Sequence, residues 1–145
     1  MKTTFLTLLF LIPLFCFAQI PKKANTIIIT GNLTQDESFK QVTGILFESG
    51  YGILSSDNNI GTITTTEKSI KRATTRFTFL IKDKKVLIRG QFNINITTNY
   101  GGVSSPSDWS DIQYFGMNGS PSMAAWNEML KIAEMISGKK EYLIK

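Results

Sequence analysis

Between residues 34 and 66 the spacing of apolar positions changes from helical to alternating, and the rest of the chain can be placed against that unit. Thr34 with Glu37 three residues on is a capping-box signal, in which each side chain answers a backbone donor that the first helical turn leaves free. Phe39, Val42, Ile45 and Leu46 then recur at helical spacing as one apolar stripe, which Phe47 and Tyr51 widen. Gly50 supplies the residue free to take positive φ at the helix end. Asp57-Asn58-Asn59 is a turn signal between strand segments 51–55 and 60–66. Gly44 lies mid-helix, where it costs about 1 kcal/mol relative to alanine. Close approach of the helix backbone to the sheet is the expected reason for it.

On either side, the pattern is mostly strand. Residues 26–30 form a short β-branched run whose continuous apolar character predicts an interior strand. Residues 68–75 read as a basic connection that is partly strand. In 76–82, Phe77, Phe79 and Ile81 alternate with polar or exposed positions, and 83–85 is a tight hairpin connection. Val86, Ile88, Gly90, Phe92, Ile94 and Ile96 then share one face of a long strand, with Leu87, Arg89, Gln91, Asn93, Asn95 and Thr97 on the other, so one face is core and one is wet. Residues 98–120 exceed the usual loop length, and such loops tend to be functional or partly structured; 112–115 is a candidate short strand or apolar plug. Ser120-Pro121 opens a second helix, with Met123, Trp126, Leu130, Ala133 and Ile136 as its stripe and Gly138 as its stop. The tail 141–145 is expected to pack back as an extra strand. The order β-α-β-β-β-β-α predicts an α+β fold, a curved antiparallel sheet with two helices packed on one face.

Residues 1–18 change the picture of where the protein works. Lys2, the apolar run 5–15 and Cys16-Phe17-Ala18 have the layout of a removable export signal, leaving 19–145 as a single α+β domain. The run contains Pro13 and is shorter than the roughly 20 residues of a spanning helix, so no transmembrane segment is expected in the mature chain. A periplasmic or secreted protein follows. Lipid attachment at Cys16 is the alternative, disfavoured by Leu14 and Phe15 where lipoprotein signals carry small residues.

The formal net charge is +5, and falls by one when Lys2 leaves. Such a surplus suits nucleic acid, an anionic surface or an acidic glycan, or simply a solvated sheet face; export excludes nucleic acid as the expected partner. The sequence contains no histidine, and its one cysteine is Cys16. Serine and cysteine nucleophile systems and nearly all zinc sites are thereby removed, and the common phosphate-binding glycine loops are absent. No enzyme activity, metal or cofactor is expected. The remaining catalytic possibility is a carboxylate pair, Asp108 and Asp111, beside Trp109, weighed against a cap and a solvated side chain. The oxygen-rich 57–59 cluster lacks the ligand spacing of a calcium loop and reads as a turn.

Asp36-x-x-Phe39, Leu46, Gly50-Tyr51, Asp57 and Gly61-x-Ile63 together resemble the repeating unit in the C-terminal domains of the lipoprotein C subunit of the outer-membrane β-barrel assembly machinery. The chain is also similar to small exported domains of TATA-binding-protein-like fold. The resemblance implies a helix-grip architecture, a helix lying across a curved sheet. Its motif consists of folding residues, so it implies no catalytic residue.

Tyr100, Trp109, Tyr114 and Phe115 in the long loop, with Arg76, Lys82 and Arg89 as a basic border, are the candidate binding residues. They could line a groove for a protein or glycan partner in the cell envelope, or the loop could fold over the sheet so that its aromatics complete the core. A carrier holding an apolar small molecule between sheet and helices is the rival reading.

Overall fold

The computed structural model describes residues 20–94, 98–100, 103–105 and 108–145. Residues 1–18, read as the export signal, and the strand-face residues 95–97 lie outside the described residues. In chain order the elements are β1 (Thr26–Thr30), α1 (Gln35–Glu48), β2 (Ile53–Asp57), β3 (Thr62–Thr65), β4 (Lys68–Ser69), β5 (Thr74–Lys82), β6 (Lys85–Asn93), β7 (Thr98–Tyr100), β8 (Val103–Ser105), β9 (Ser110–Asp111), α2 (Pro121–Met135) and β10 (Lys139–Leu143). The expected α+β class is the observed one.

The nine-residue strands β5 and β6 are paired along their whole length, from Thr74↔Asn93 to Lys82↔Lys85. The two-residue turn between them has φ of 52° at Asp83 and 61° at Lys84. Positive φ at both central residues is the turn whose twist matches that of the flanking strands. Around this hairpin an open, eight-stranded antiparallel sheet runs β10-β1-β6-β5-β3-β2, with β4 added to β5 and β9 to β6. β1 is interior, as its apolar run predicts, because the tail strand β10 covers its outer edge from Thr26↔Leu143 to Thr30↔Lys139. β7 and β8 form a separate pair.

One parity of the strands is buried: Ile27, Ile29, Ile63, Phe77, Phe79, Ile81, Val86, Ile88 and Phe92. Val42, Ile45 and Leu46 of α1 and Trp126, Met129, Ile132 and Ala133 of α2 join them in one core, so both helices lie on the same face. The capping box of α1 is present in full, Glu37 N–H donating to Thr34 Oγ1 at 3.3 Å and Thr34 N–H to Glu37 Oε2 at 2.9 Å. The Thr34 N–H, together with the Thr34 hydroxyl donating to the same oxygen at 2.8 Å, holds the Glu37 carboxyl below the usual range. At the other helix, α2 stops at Met135, and Gly138, with φ of 144°, turns the chain into β10.

Of two glycines expected to face the core, one does not. Gly44 is exposed and a Cβ there would meet nothing within 4 Å, so close approach to the sheet does not account for it. The crowded glycine is Gly90 in β6, where a Cβ would stand 2.6 Å from a Phe77 ring carbon and 2.7 Å from Ile112 Cδ1. β6 spans Lys85–Asn93, and the expected continuation at 95–97 lies outside the described residues.

Ile112 reaches Gly90 because β1 pairs with β6 only from Ile27↔Ile88 to Thr30↔Lys85. Beyond that point the edge of β6 is taken by β9, with Asp111 opposite Gln91, and then by Ile112, whose N–H donates to the Gly90 carbonyl at 2.9 Å. Tyr114 N–H donates to Ala24 O at 2.8 Å, and Lys23 N–H donates to Tyr114 O at 2.7 Å. Residues 110–114 thus wedge between β6 and the chain entering β1. Ile112 is fully buried, so it acts as the apolar plug, while the short strand lies just before the expected 112–115, at Ser110–Asp111.

Gly90→Val should lower stability by about 2 kcal/mol, the cost of overpacking a filled site, whereas Gly44→Ala should raise it by about 0.5–1 kcal/mol. Denaturant unfolding of the two variants checks both signs.

Candidate functional site

The strand parity that turns away from the helices forms the outer face of the sheet. On it, pairing aligns Arg89 with Thr78 and Thr64, and Arg76 with Gln91 and then Asp111. These residues, with Leu54 and the Gly90 backbone, line a depression of ≈ 460 Å³. Register also aligns Ile28, Leu87 and Leu80 in an apolar row, and Lys139, Lys85 and Lys82 in a cationic row beyond it.

Arg76, Arg89, Gln91 and Asp111 are each held by a neighbour. The Arg76 guanidinium carbon lies 4.1 Å from the centroid of the Trp109 ring, within the range of cation–π attraction. Its Nε and Nη2 donate to Gln91 Oε1 at 3.1 and 2.8 Å, and Gln91 Nε2 donates to Asp111 Oδ1 at 3.2 Å. Arg89 Nε donates to Thr26 Oγ1 at 3.1 Å. Among the described residues the ion pairs are Lys68–Glu128 and Lys139–Glu141, so neither arginine is neutralised by one. The result is a pair of oriented cations carried by diagonal neighbours on adjacent strands, positions about 7–8 Å apart along the backbone.

Three of the candidate residues, Arg76, Trp109 and Arg89, are brought together. Lys82 is on the same face but at the hairpin end, opposite Lys85. Tyr114 is half-buried with its ring 5.6 Å from that of Trp126, so it completes the core, and Phe115 is 43% exposed away from the depression. The loop therefore divides, Trp109 reaching the outer face and Tyr114 the core. Tyr100 ends β7, and its side chain lies outside what the structure describes. Asp108 and Asp111 are both exposed, and only Asp111 lines the depression. Gln91, Thr64, Thr78 and Leu54 were not singled out by sequence reasoning. Their signal is the wet-face parity of β3, β5 and β6, which names a face without saying which of its residues cluster. The 57–59 cluster is a turn, Asp57 Oδ1 accepting from Asn59 N–H at 2.8 Å and Ile60 N–H at 3.3 Å.

A second polar group, not legible in the sequence, lies between helices and sheet. Tyr51 OH is 2.7 Å from Thr75 Oγ1 and donates to Glu128 Oε1 at 3.4 Å, while Lys68 Nζ donates to the same carboxylate oxygen at 2.9 Å and to Ser49 O at 2.7 Å. The Lys68 ammonium also sits 4.7 Å from the Tyr51 ring centroid. This group ties the end of α1, the middle of α2 and the start of β5 together. Burial, and then the Glu128 charge, push the Tyr51 hydroxyl well above the usual tyrosine range. It is a tether, enclosed rather than open to a ligand.

No family model matches the chain, and neither does any curated protein. Among the described residues, no group of three or more histidine, cysteine or acidic side chains is placed to hold a metal, and no helix is long and apolar enough to cross a membrane.

Because the unfolded Tyr51 ionises near pH 10 and the folded one keeps its proton to higher pH, the stability it contributes is fully present below pH 10 and is lost as pH rises above that value. Tyr51→Phe should cost about 1 kcal/mol at neutral pH through the lost hydrogen bond, and should flatten the fall in stability between about pH 10 and 11. Urea unfolding across that range checks the slope; part of it should remain, because burial also raises Tyr142.

Proposed function

We propose that the chain is an exported, non-enzymatic binding module of the cell envelope, holding a protein or glycan partner on the outer face of its sheet. One observation carries the reading. Arg76 and Arg89 are set in a depression of ≈ 460 Å³, one of them stacked on Trp109, with no ion pair to either among the described residues. Leaving two cations oriented and unneutralised beside an aromatic ring raises self-repulsion, a cost that an anionic ligand would relieve.

Other features agree with that reading. The export-signal layout of residues 1–18 supports a periplasmic or secreted address. The lack of histidine and of a cysteine beyond residue 16 supports a role without covalent catalysis. The sheet with two helices on one face agrees with the helix-grip architecture that the 36–63 pattern resembles, and we take the chain as one of the small exported domains of that fold. Phe77, Phe79, Trp126 and Met129 are fully buried between sheet and helices, which favours the outer face over an internal cavity as the place for a ligand.

Native mass spectrometry of the protein taken from its own periplasm or medium tests this. A mature chain beginning at Gln19 is expected, with any copurifying ligand lost from an R76Q/R89Q double variant. An apolar small molecule retained by the double variant would replace the proposal with a carrier, and a lipid-modified Cys16 would replace the address.

A further inference from the structure

We infer that the outer-face depression takes an acidic sugar, a carboxylate- or sulfate-bearing pyranose within a polysaccharide, whose anionic group sits on Arg76 and Arg89. The inference rests on the reading that the outer face is the binding surface, and names the chemistry of what binds there.

The first reason is the donor geometry. Arg76 uses Nε and Nη2 on Gln91, and Arg89 uses Nε on Thr26, so among the described residues Nη1 of the first and both terminal nitrogens of the second have no acceptor. Guanidinium groups held in place by other contacts recognise planar or tetrahedral oxyanions through paired, charge-assisted hydrogen bonds.

The second reason is what surrounds them. A bare inorganic anion would leave Thr64 and Thr78 unused and would be repelled by Asp111 at the rim. A sugar ring presents hydroxyls that donate to a carboxylate and exchange hydrogen bonds with other hydroxyls, so it answers all three. Trp109 is half-buried, and the part of its ring left to solvent offers a flat apolar surface of the kind that C–H faces of a pyranose cover. An anionic membrane is a poorer match, because Arg76 is already engaged by Trp109 and Gln91 within a depression and does not stand on a raised rim. An acidic peptide would more naturally extend the open edge at β2, two strands from the one that carries Arg76 and three from the one that carries Arg89.

The third reason is the second cationic row. Lys85, aligned with Lys82 and Lys139, is four residues along β6 from Arg89, about 13 Å on the same face. A polymer carrying an anion on successive rings can meet the arginines and this row together, where a single sugar cannot.

The test is titration of the mature chain with hexagalacturonate and with a heparin hexasaccharide, followed by calorimetry and by amide NMR shifts, with fully methyl-esterified hexagalacturonate as the uncharged control. Binding by at least one acidic glycan is expected, weakened by salt, with shifts at Thr64, Thr78 and Gln91. R76Q, R89Q and W109A should each lose about tenfold in affinity, and K82Q should lose a few-fold for the hexasaccharides and nothing for digalacturonate, which is too short to reach the lysine row. Equal binding of the methyl ester, unchanged affinity in R76Q and R89Q, or no binding by either acidic glycan overturns the inference. If poly-glutamate or phosphatidylglycerol vesicles instead shift the same amides, the acidic-sugar assignment fails while the outer face stands as the binding surface. If the acidic glycans shift only residues of the helices, both fall.

Discussion

The register of the β5–β6 hairpin is the constraint on which the rest of this structure depends. A one-residue slip in a strand pair moves every side chain to the other face. Here the two-residue turn at Asp83-Lys84 and nine consecutive pairs hold Phe77, Phe79, Ile81, Val86, Ile88 and Phe92 under the helices, and Arg76, Thr78, Arg89 and Gln91 on the outer face. Core and candidate site are thus two readings of one alternation. The same pairing that buries the phenylalanines sets the two guanidinium groups diagonally across adjacent strands.

The hairpin is longer than the strand that lies beside it, and that mismatch shapes the site. β1 covers β6 for four residues, which leaves the far half of β6 with unmet backbone groups. Buried backbone groups must find partners, and residues 110–114 supply them. Gly90 is the point of contact, since its missing side chain is the space that Ile112 enters. Once Ser110–Asp111 is anchored there, Trp109 lies next to Arg76 and Asp111 next to Gln91. Rigid packing on one side of the sheet therefore organises polar contacts on the other.

The Tyr51 group performs the complementary task on the helix side. Tyr51, Lys68, Thr75 and Glu128 come from four separate stretches and meet where both helices approach the sheet. A satisfied polar cluster in such a place specifies how the layers dock, because each member would be costly to bury alone. Its members are enclosed by one another, whereas the arginines of the outer face are held in position with donors to spare. That contrast is why the outer face, and not the Tyr51 group, is the surface we propose for a ligand.

Local order was legible in the sequence. The capping box at Thr34 and Glu37, the stripes of both helices, the alternation in β5 and β6 and the interior character of β1 are all properties of neighbours along the chain, set by side-chain periodicity and backbone donors. Which residues would form a site was not, because that is set by pairing between distant strands. Arg76, Trp109 and Arg89 carried an aromatic or basic signal and do converge, yet Tyr114, chosen on the same signal, completes the core beside Trp126. Gly44 and Gly90 were both expected against the core, and only the three-dimensional packing shows that the first faces solvent and the second receives Ile112. Periodicity by itself determined the elements and their buried faces. The tertiary structure decided the strand order, the wedge at 110–114 and hence the composition of the outer-face depression, because contacts between residues far apart in the chain leave no periodic trace.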